Sequence, residues 1–249
     1  MRAVILAAGV GARLGSGEDY PPKAMLRFAD RTLLSRHLEV LRHCGLDEVV
    51  IVTGYRAKLF EKAVAPQKAE GFVRTIMNPD FRLGSILSLW TAREILHCGD
   101  EILLMDADVL NDFRMVERLL ASGNANCFLM DRDFEVGDEP VKLCVRDGEI
   151  IDFHKKIENV YDFCGESVGF FRFSSDMAGR LARRAQAYVD EGREGEWYEE
   201  AIRDLVMECP AGTFGYEDVT GLPWIEIDFP EDVERARKEI LPRLKNPET

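Results

Sequence analysis

Apolar residues in the first 130 positions fall into short continuous runs rich in β-branched residues and leucine, separated by stretches with helical spacing. The runs are Arg2–Leu6, Glu48–Thr53, Phe72–Met77 and Glu101–Met105; the helical stretches are Leu33–His43, Arg56–Ala65 and Gly84–His97. Runs without alternation are strands covered on both faces, and the helices between them supply the cover. The pattern predicts an α/β three-layer sandwich around a mostly parallel, Rossmann-like central sheet. Beyond residue 126 the texture changes to short strands, Asn126–Asp131, Val141–Arg146 and Glu149–Phe153. The last two join across Asp147-Gly148, residue types that suit a type I′ hairpin. Ser167–Phe173 is a further strand, followed by helices near Ser175–Asp190 and Trp197–Met207 and a final strand at Trp224–Ile227. From Pro230 the segment PEDVERARKEIL carries acids in its first turn and bases later, as a helix dipole favours. The expected organisation is one domain over 1–249: a parallel half (1–130), a small β/α insertion (131–223), and a strand plus helix (224–249) returning to the core. The last few residues read as a disordered tail, and no internal repeat is visible.

Composition narrows this picture without changing it. The chain has 249 residues, 46% hydrophobic and 31% charged, an ordinary globular balance. No apolar run approaches the roughly 18–20 residues needed to span a bilayer. The start, MRAVILAAGVGARLG, is too short and too glycine-interrupted for a signal peptide. Six scattered cysteines form no CxxC pair, which fits a reducing cytoplasm better than a zinc site or a disulfide scaffold. The formal net charge of −13 argues against nucleic acid and anionic membrane surfaces as partners. A polyphosphate ligand would therefore depend on a few focused cations and a metal. His37, His43, His97 and His154 show no metal-ligand spacing, and no Ser-His-Asp or Cys-His arrangement is legible.

Candidate chemistry begins where the first strand ends. Leu6–Leu14 reads LAAGVGARL, and its small residues and glycines allow backbone N–H groups to approach phosphate oxygens closely. Arg13 adds a guanidinium fork, and Lys23 a compact ammonium on the proline-stiffened Tyr20-Pro21-Pro22 stretch. Two rival readings exist for the loop. One is a dinucleotide-binding fingerprint, but the strand ending at Thr53-Gly54-Tyr55 offers no acid for a ribose hydroxyl. The other is a plain strand-to-helix turn with incidental charges. The fourth strand leads into Asp106-Ala107-Asp108, with both aspartates on one side at the carboxyl edge, and Asp228 ends the strand Trp224–Ile227. These carboxylates suit Mg²⁺, which takes one or two of them with substrate phosphates and water. They equally suit helix N-caps. Glu226 shares a face with Asp228, and either faces the site or is solvated.

LAAGVGARLG followed by PPKAML resembles the signature of the nucleotidyltransferase superfamily that holds the nucleotide-sugar pyrophosphorylases. Asn78-Pro79, GSILSLW (Gly84–Trp90), MDADV, Gly165-Glu-Ser-Val-Gly169, Trp197-Tyr-Glu199 and EIDFPED resemble the branch of choline-phosphate and 2-aminoethylphosphonate cytidylyltransferases. The resemblance implies a nucleotide-binding half (1–130) and an acceptor-binding half (131–223), with transfer of CMP from CTP to a small phosphate- or phosphonate-bearing acceptor and release of pyrophosphate. It implies that Leu6, Ala7, Ala8, Gly9, Gly11, Asn78, Gly84, Ser85 and Asp106 bind the nucleotide and that Asp108 and Asp228 hold Mg²⁺. Arg13, Lys23 and Lys142 would neutralise charge during transfer. Lys155, Glu166, Trp197, Glu199 and Glu226 would meet the acceptor, since carboxylates and aromatic faces suit a cationic amine. Only one of the adjacent Lys155 and Lys156 can face the site. Gly15–Tyr20 (GSGEDY) departs from the family pattern by carrying two acids, which weakens transfer of fine contacts there. Sugar-1-phosphate nucleotidyltransferases using UTP, GTP or dTTP remain rivals, as do inositol-1-phosphate cytidylyltransferases and a catalytically silent nucleotide-binding regulator. A homodimer through the region after 130 is compatible with the pattern but not required by it.

Overall fold

In chain order the elements are β1 (Arg2–Ala7), β2 (Arg27–Phe28), β3 (Arg31–Thr32), α1 (Leu33–His43), β4 (Glu48–Thr53), α2 (Ala57–Ala63), α3 (Ala65–Ala69), β5 (Val73–Met77), α4 (Ile86–Thr91), α5 (Arg93–Leu96) and β6 (Ile102–Asp106). They continue as β7 (Val109–Asn111), α6 (Phe113–Ala121), β8 (Cys127–Asp131), β9 (Lys142–Arg146), β10 (Glu149–His154), β11 (Phe163–Phe173), α7 (Ser175–Asp190), α8 (Tyr198–Glu208), β12 (Gly215–Asp218), β13 (Trp224–Glu226) and α9 (Pro230–Arg235). The structure is a computed structural model that describes residues 1–15, 20–135, 137, 139–245 and 247.

Strands β6, β1, β4 and β5 are parallel neighbours in that order, with Arg2–Ala7 in register against Glu48–Thr53 and Arg2–Leu6 against Ile102–Asp106. Alternation along them sends each strand's residues to two separate cores. Val4, Val50 and Leu104 pack under α4, α5, α7 and α8, whereas Ile5, Ile51 and Leu103 pack under α1, α2 and α6. All six are fully buried, each worth about 1.5–3 kcal/mol relative to exposure. This two-sided cover is why the runs are continuous rather than alternating, and it makes the expected three-layer α/β architecture the observed one.

β11 decides where the functional cleft opens. It runs antiparallel to β6 and bridges both halves of the sheet. Glu166 pairs with Asp131 of β8 and Lys142 of β9, while Phe171 pairs with Phe128 of β8 and Leu104 of β6. β9 and β6 therefore follow one another along the same edge of β11, and residues 167–169 between them have no ladder partner on that edge. Gly169 sits in this gap at φ +77°, and the β8 register slips between Ser167 and Phe171. The sheet splits here, directly beside the end of β6.

Several elements differ from the sequence reading. The helix expected over Gly84–His97 begins later and breaks into α4 and α5 at Ala92, and Arg56–Ala65 is likewise α2 followed by the separate α3. Strand Ser167–Phe173 starts earlier, at Phe163. The expected final strand Trp224–Ile227 is β13, one residue shorter, whereas its partner β7 and the strand β12 had no clear signal, being three and four residues long. The C-terminal helix turns from α to a π segment at Ala236–Ile240. Asp147 and Gly148 sit at φ +53° and +81°, as a type I′ turn requires. Part of GSGEDY (16–19) and part of the expected disordered tail (246, 248 and 249) lie outside the described residues.

Candidate active site

The carboxyl ends of β1 and β6 open into a cleft of about 380 Å³ lined by Leu6, Ala7, Gly9–Arg13, Lys23, Ala24, Phe81, Leu83, Ala107, Asp108 and Asp228. The loop after β1 is fastened on one side, where the Tyr55 N–H donates to the Ala8 carbonyl at 3.0 Å, and closes in a turn in which Leu14 N–H donates to Gly11 carbonyl at 3.1 Å. Gly11 takes φ +65°, and a Cβ there would sit 3.2 Å from Lys23 Cγ. Glycine thus lets the lysine stem lie against the loop. Lys23 itself opens a short 3₁₀ turn (Lys23–Met25) set by Pro22.

Lys23 Nζ donates to Asp108 Oδ2 at 2.9 Å and to Asp228 Oδ1 at 2.6 Å. Burial opposes its charge, but the two carboxylates outweigh that and hold its pKa above the ordinary lysine value. Either aspartate would suit a helix cap, yet other acids hold those posts. Asp112 caps α6 by accepting from the Arg114 N–H, and Asp232 accepts from the backbone N–H groups of Asp228 and Phe229 at the start of α9. The side chains of Asp108 and Asp228 are left to face the cleft. Glu226 joins them: one oxygen from each of Asp108, Glu226 and Asp228 lies within 4.8 Å of the others, a set that could hold a metal ion. Glu226 is exposed, yet desolvation by the protein around it and the carboxylates of Asp108 and Asp228 push its pKa well up. Three acids crowded in this way favour a cation among them. Arg13 stands at the rim, with Nη1 3.0 Å from Glu139 Oε2 and 3.8 Å from Asp228 Oδ2.

Across these carboxylates lies a second face. Asp106 is half-buried and accepts from Tyr198 Oη at 2.6 Å; desolvation by the protein around it, then Asp108 and Glu199, raise its pKa far above the usual carboxylate range. A Cβ on Gly169 would stand 2.3 Å from Asp106 Oδ2, so this aspartate occupies the gap that the split in the sheet leaves open. Glu199, at the start of α8, is pushed up to about 7, chiefly by burial. Glu166 is likewise raised to about 7, by burial and then by Asp131 and Glu135.

The remaining sequence candidates fall into two groups. Leu6, Ala7 and Gly9 line the cleft with Gly11, while Ala8 contributes the carbonyl that anchors the loop. Asn78, Gly84 and Ser85 do not line it. Asn78 is buried and donates to Ser88 Oγ at 3.1 Å, Gly84 N–H donates to the Glu194 carbonyl at 2.8 Å, and Ser85 Oγ accepts from the Tyr198 N–H at 2.9 Å. Asn78 thus braces α4, and Gly84 and Ser85 tie its start to the chain leading into α8. Lys142 Nζ is engaged by the carbonyls of Gly137 and Lys155, both at 2.7 Å. Trp197 is 45% exposed, and Lys155 Nζ covers its ring at 4.4 Å from the centroid. Lys155 also reaches Glu139 Oε2 at 3.4 Å, whereas Lys156 makes its hydrogen bonds through the backbone, to His154. The sequence reading passed over Phe81, Leu83, Glu139, Tyr198 and Gly169. Tyr198 stood within the Trp197–Glu199 segment, and Gly169 closed Gly165–Gly169, but no local pattern tied either to Asp106.

A family model described as MobA-like NTP transferase domain matches residues 3–154. The chain is 26% identical over 248 residues to a CMP-5'-(3-aminopropyl)phosphonate synthase of Streptomyces rubellomurinus, covering 97% of this chain and 39% of that protein. It is 21% identical over 258 residues to a CTP:phosphoglutamine cytidylyltransferase of Campylobacter jejuni, covering 94% of this chain and 98% of that protein. Among solved structures, the inositol-1-phosphate CTP transferase of T. maritima superposes with a TM-score of 0.78 at 20% identity, over 100% of this chain and 97% of that one. The first curated relatives are longer proteins, of which the chain spans 39%, 50% and 52%.

Proposed function

The chain belongs to the MobA-like NTP transferase family, and from that premise we propose that it transfers CMP from CTP to a small phosphate- or phosphonate-bearing acceptor, releasing pyrophosphate. The observation that carries this is the contact of Lys23 with Asp108 and Asp228 at the mouth of the glycine loop. It puts one focused cation and a set of carboxylates where a triphosphate lying along the loop backbone would present its reacting phosphorus. The net charge of −13 gives the surface as a whole no attraction for a polyphosphate, so binding falls to Lys23, Arg13 and the backbone N–H groups. The oxygen-only set Asp108, Glu226 and Asp228 fits Mg²⁺, which when bound supplies charge neutralisation to the phosphates.

On this reading the protein's part is positioning and electrostatics, with no protein nucleophile. Gly9 and Gly11 let the backbone approach the phosphates, and Lys23 and Arg13 offset the charge that grows on the departing pyrophosphate. The acceptor's phosphate or phosphonate oxygen would enter from the side of Asp106 and Glu199 and attack in line. Relatives with CMP or CTP in their names support the choice of nucleotide, and those names include an aminopropylphosphonate and a phosphoglutamine.

The test is pyrophosphate release from CTP, UTP, GTP and dTTP with Mg²⁺ and a panel of 2-aminoethylphosphonate, phosphocholine, inositol-1-phosphate and glucose-1-phosphate. CTP with a phosphonate or small phosphate is expected to lead. Faster turnover with UTP or dTTP would remove the cytidylyl reading. Nucleotide binding without turnover of any acceptor would favour the regulatory one.

A further inference from the structure

Beside the carboxylates lies a second, small pocket of about 60 Å³ lined in part by Asp106, Lys155, Ser167, Tyr198 and Glu199. That is about two water molecules' share of space. Its notable member is Glu199, whose Oε2 is buried from solvent and has no hydrogen-bond partner among the described residues. A buried carboxylate oxygen without a donor costs free energy until one arrives. Two of the neighbouring donors are committed elsewhere. Tyr198 Oη is given to Asp106 at 2.6 Å, and Lys155 Nζ lies over the Trp197 ring and against Glu139.

We propose that this pocket seats a primary ammonium group of the acceptor, which donates an N–H to Glu199 Oε2. The proposal rests on the transferase reading above and narrows the acceptor to one chemical class. A quaternary ammonium has no N–H to give, and it is recognised by open aromatic faces. Here those faces are taken. Tyr198 is 4% exposed and packs edge-on against Phe171, Phe153 and Phe171 are 1% and 0% exposed, and Trp197 is capped by Lys155. The walls instead offer five carboxylates against the single ammonium of Lys155, and their oxygens are what a primary ammonium can satisfy with its three donors. Asp228 lines both this pocket and the nucleotide cleft. An acceptor with its amine on Glu199 therefore has its phosphate or phosphonate end toward the reacting phosphorus.

The test uses three phosphate monoesters on the full chain: phosphoethanolamine, phosphocholine and ethyl phosphate. The last two lack, respectively, the N–H donors and the charge. Binding is measured by calorimetry with Mg²⁺ and a non-hydrolysable CTP analogue, and turnover by pyrophosphate release with CTP. Phosphoethanolamine is expected to bind on the order of 100-fold more tightly than either analogue. Glu199→Gln should bring it level with ethyl phosphate while the affinity for the CTP analogue stays unchanged. Equal or tighter binding of phosphocholine would overturn the inference, as would equal binding of ethyl phosphate, no binding of phosphoethanolamine, or a preference that survives Glu199→Gln. Should the preference appear and vanish as stated while CTP is never consumed, the ammonium seat stands and the proposed reaction falls. Turnover without the preference would do the reverse: the reaction stands and the ammonium seat falls.

Discussion

The two faces of the site are built in opposite ways. The face turned to the proposed nucleotide is made of backbone and cations: a glycine loop straight after β1, then Arg13 and Lys23, within 23 residues of the N-terminus. The face turned to the proposed acceptor is made of side chains, five of them carboxylates, with β6, β11, α8 and β13 each contributing to it. Backbone recognition tolerates little sequence freedom and serves a moiety common to many reactions. A wall of side chains from four elements can be altered one residue at a time. A fold that hosts several acceptors, as the relatives' names indicate, would keep the first face and vary the second.

Substitutions should separate the faces, and the largest effect belongs to the carboxylates they share. Asp108→Asn is expected to lower the rate of pyrophosphate release by about 1,000-fold while the far-ultraviolet circular dichroism and melting curve stay near those of the parent; a loss below tenfold would take Asp108 out of the reacting centre. Gly169→Ala comes next. It forces a left-handed backbone position and a Cβ against Asp106 Oδ2, so about 2 kcal/mol of stability should be lost in denaturant melts. In the surviving enzyme KM should rise for the acceptor and hold for CTP, whereas an equal rise in both would show that the faces are not independent.

Glu166 gives a pH-dependent contrast. Its folded pKa of about 7 lies above the ordinary glutamate value, so between pH 4.5 and 7 the native state binds more protons than the unfolded one and stability falls as pH rises. Glu166→Gln should therefore stabilise the protein at pH 8 by about 1–2 kcal/mol and have little effect at pH 4.5. A melting temperature raised equally at both pH values would mean that the burial of this carboxyl is not felt as charge. Trp197→Ala should do least, raising the acceptor KM about threefold, because the ring is half-exposed and its face already holds Lys155. A tenfold rise would make the ring part of the acceptor wall and weaken the case for Glu199.

The same contrast explains what could be read from the sequence. Strand β4 and helix α1 have the bounds that the apolar pattern predicts, and β1 differs by one residue, because both faces of the parallel sheet are buried and the pattern has no competing signal. The glycine loop, Lys23 and Asp106–Asp108 are consecutive or nearly so, and strand ends bring them together. Strand β12 was invisible, since Gly215–Asp218 are all half-buried and show neither an apolar run nor alternation. The partnership of Asp106 with Tyr198 and Gly169 spans 92 and 63 positions, and only the split in β11 brings it about. Gly84 and Ser85 look from the sequence like ligand contacts at a helix start, but their polar atoms are taken by the chain leading into α8. Asp228 looked equally fit as a cap and as a metal ligand, and Asp232 taking the cap is a fact of three dimensions.

That tether between α4 and α8 has a thermodynamic consequence. Phe81 and Leu83 border the nucleotide cleft, Gly84 and Ser85 hold 194–198, and Glu199 follows at once. A nucleotide that shifts this short stretch does work on the acceptor wall through three hydrogen bonds, from Gly84 and Ile86 to the carbonyls of Glu194 and Glu196 and from Tyr198 to Ser85, and a glycine too close-packed to slide. Linkage then requires reciprocity: whatever factor CTP applies to the acceptor's dissociation constant, the acceptor must apply to that of CTP. Titrating each ligand in the absence and presence of the other would measure that factor directly, and Ser85→Ala should bring it closer to one from both directions.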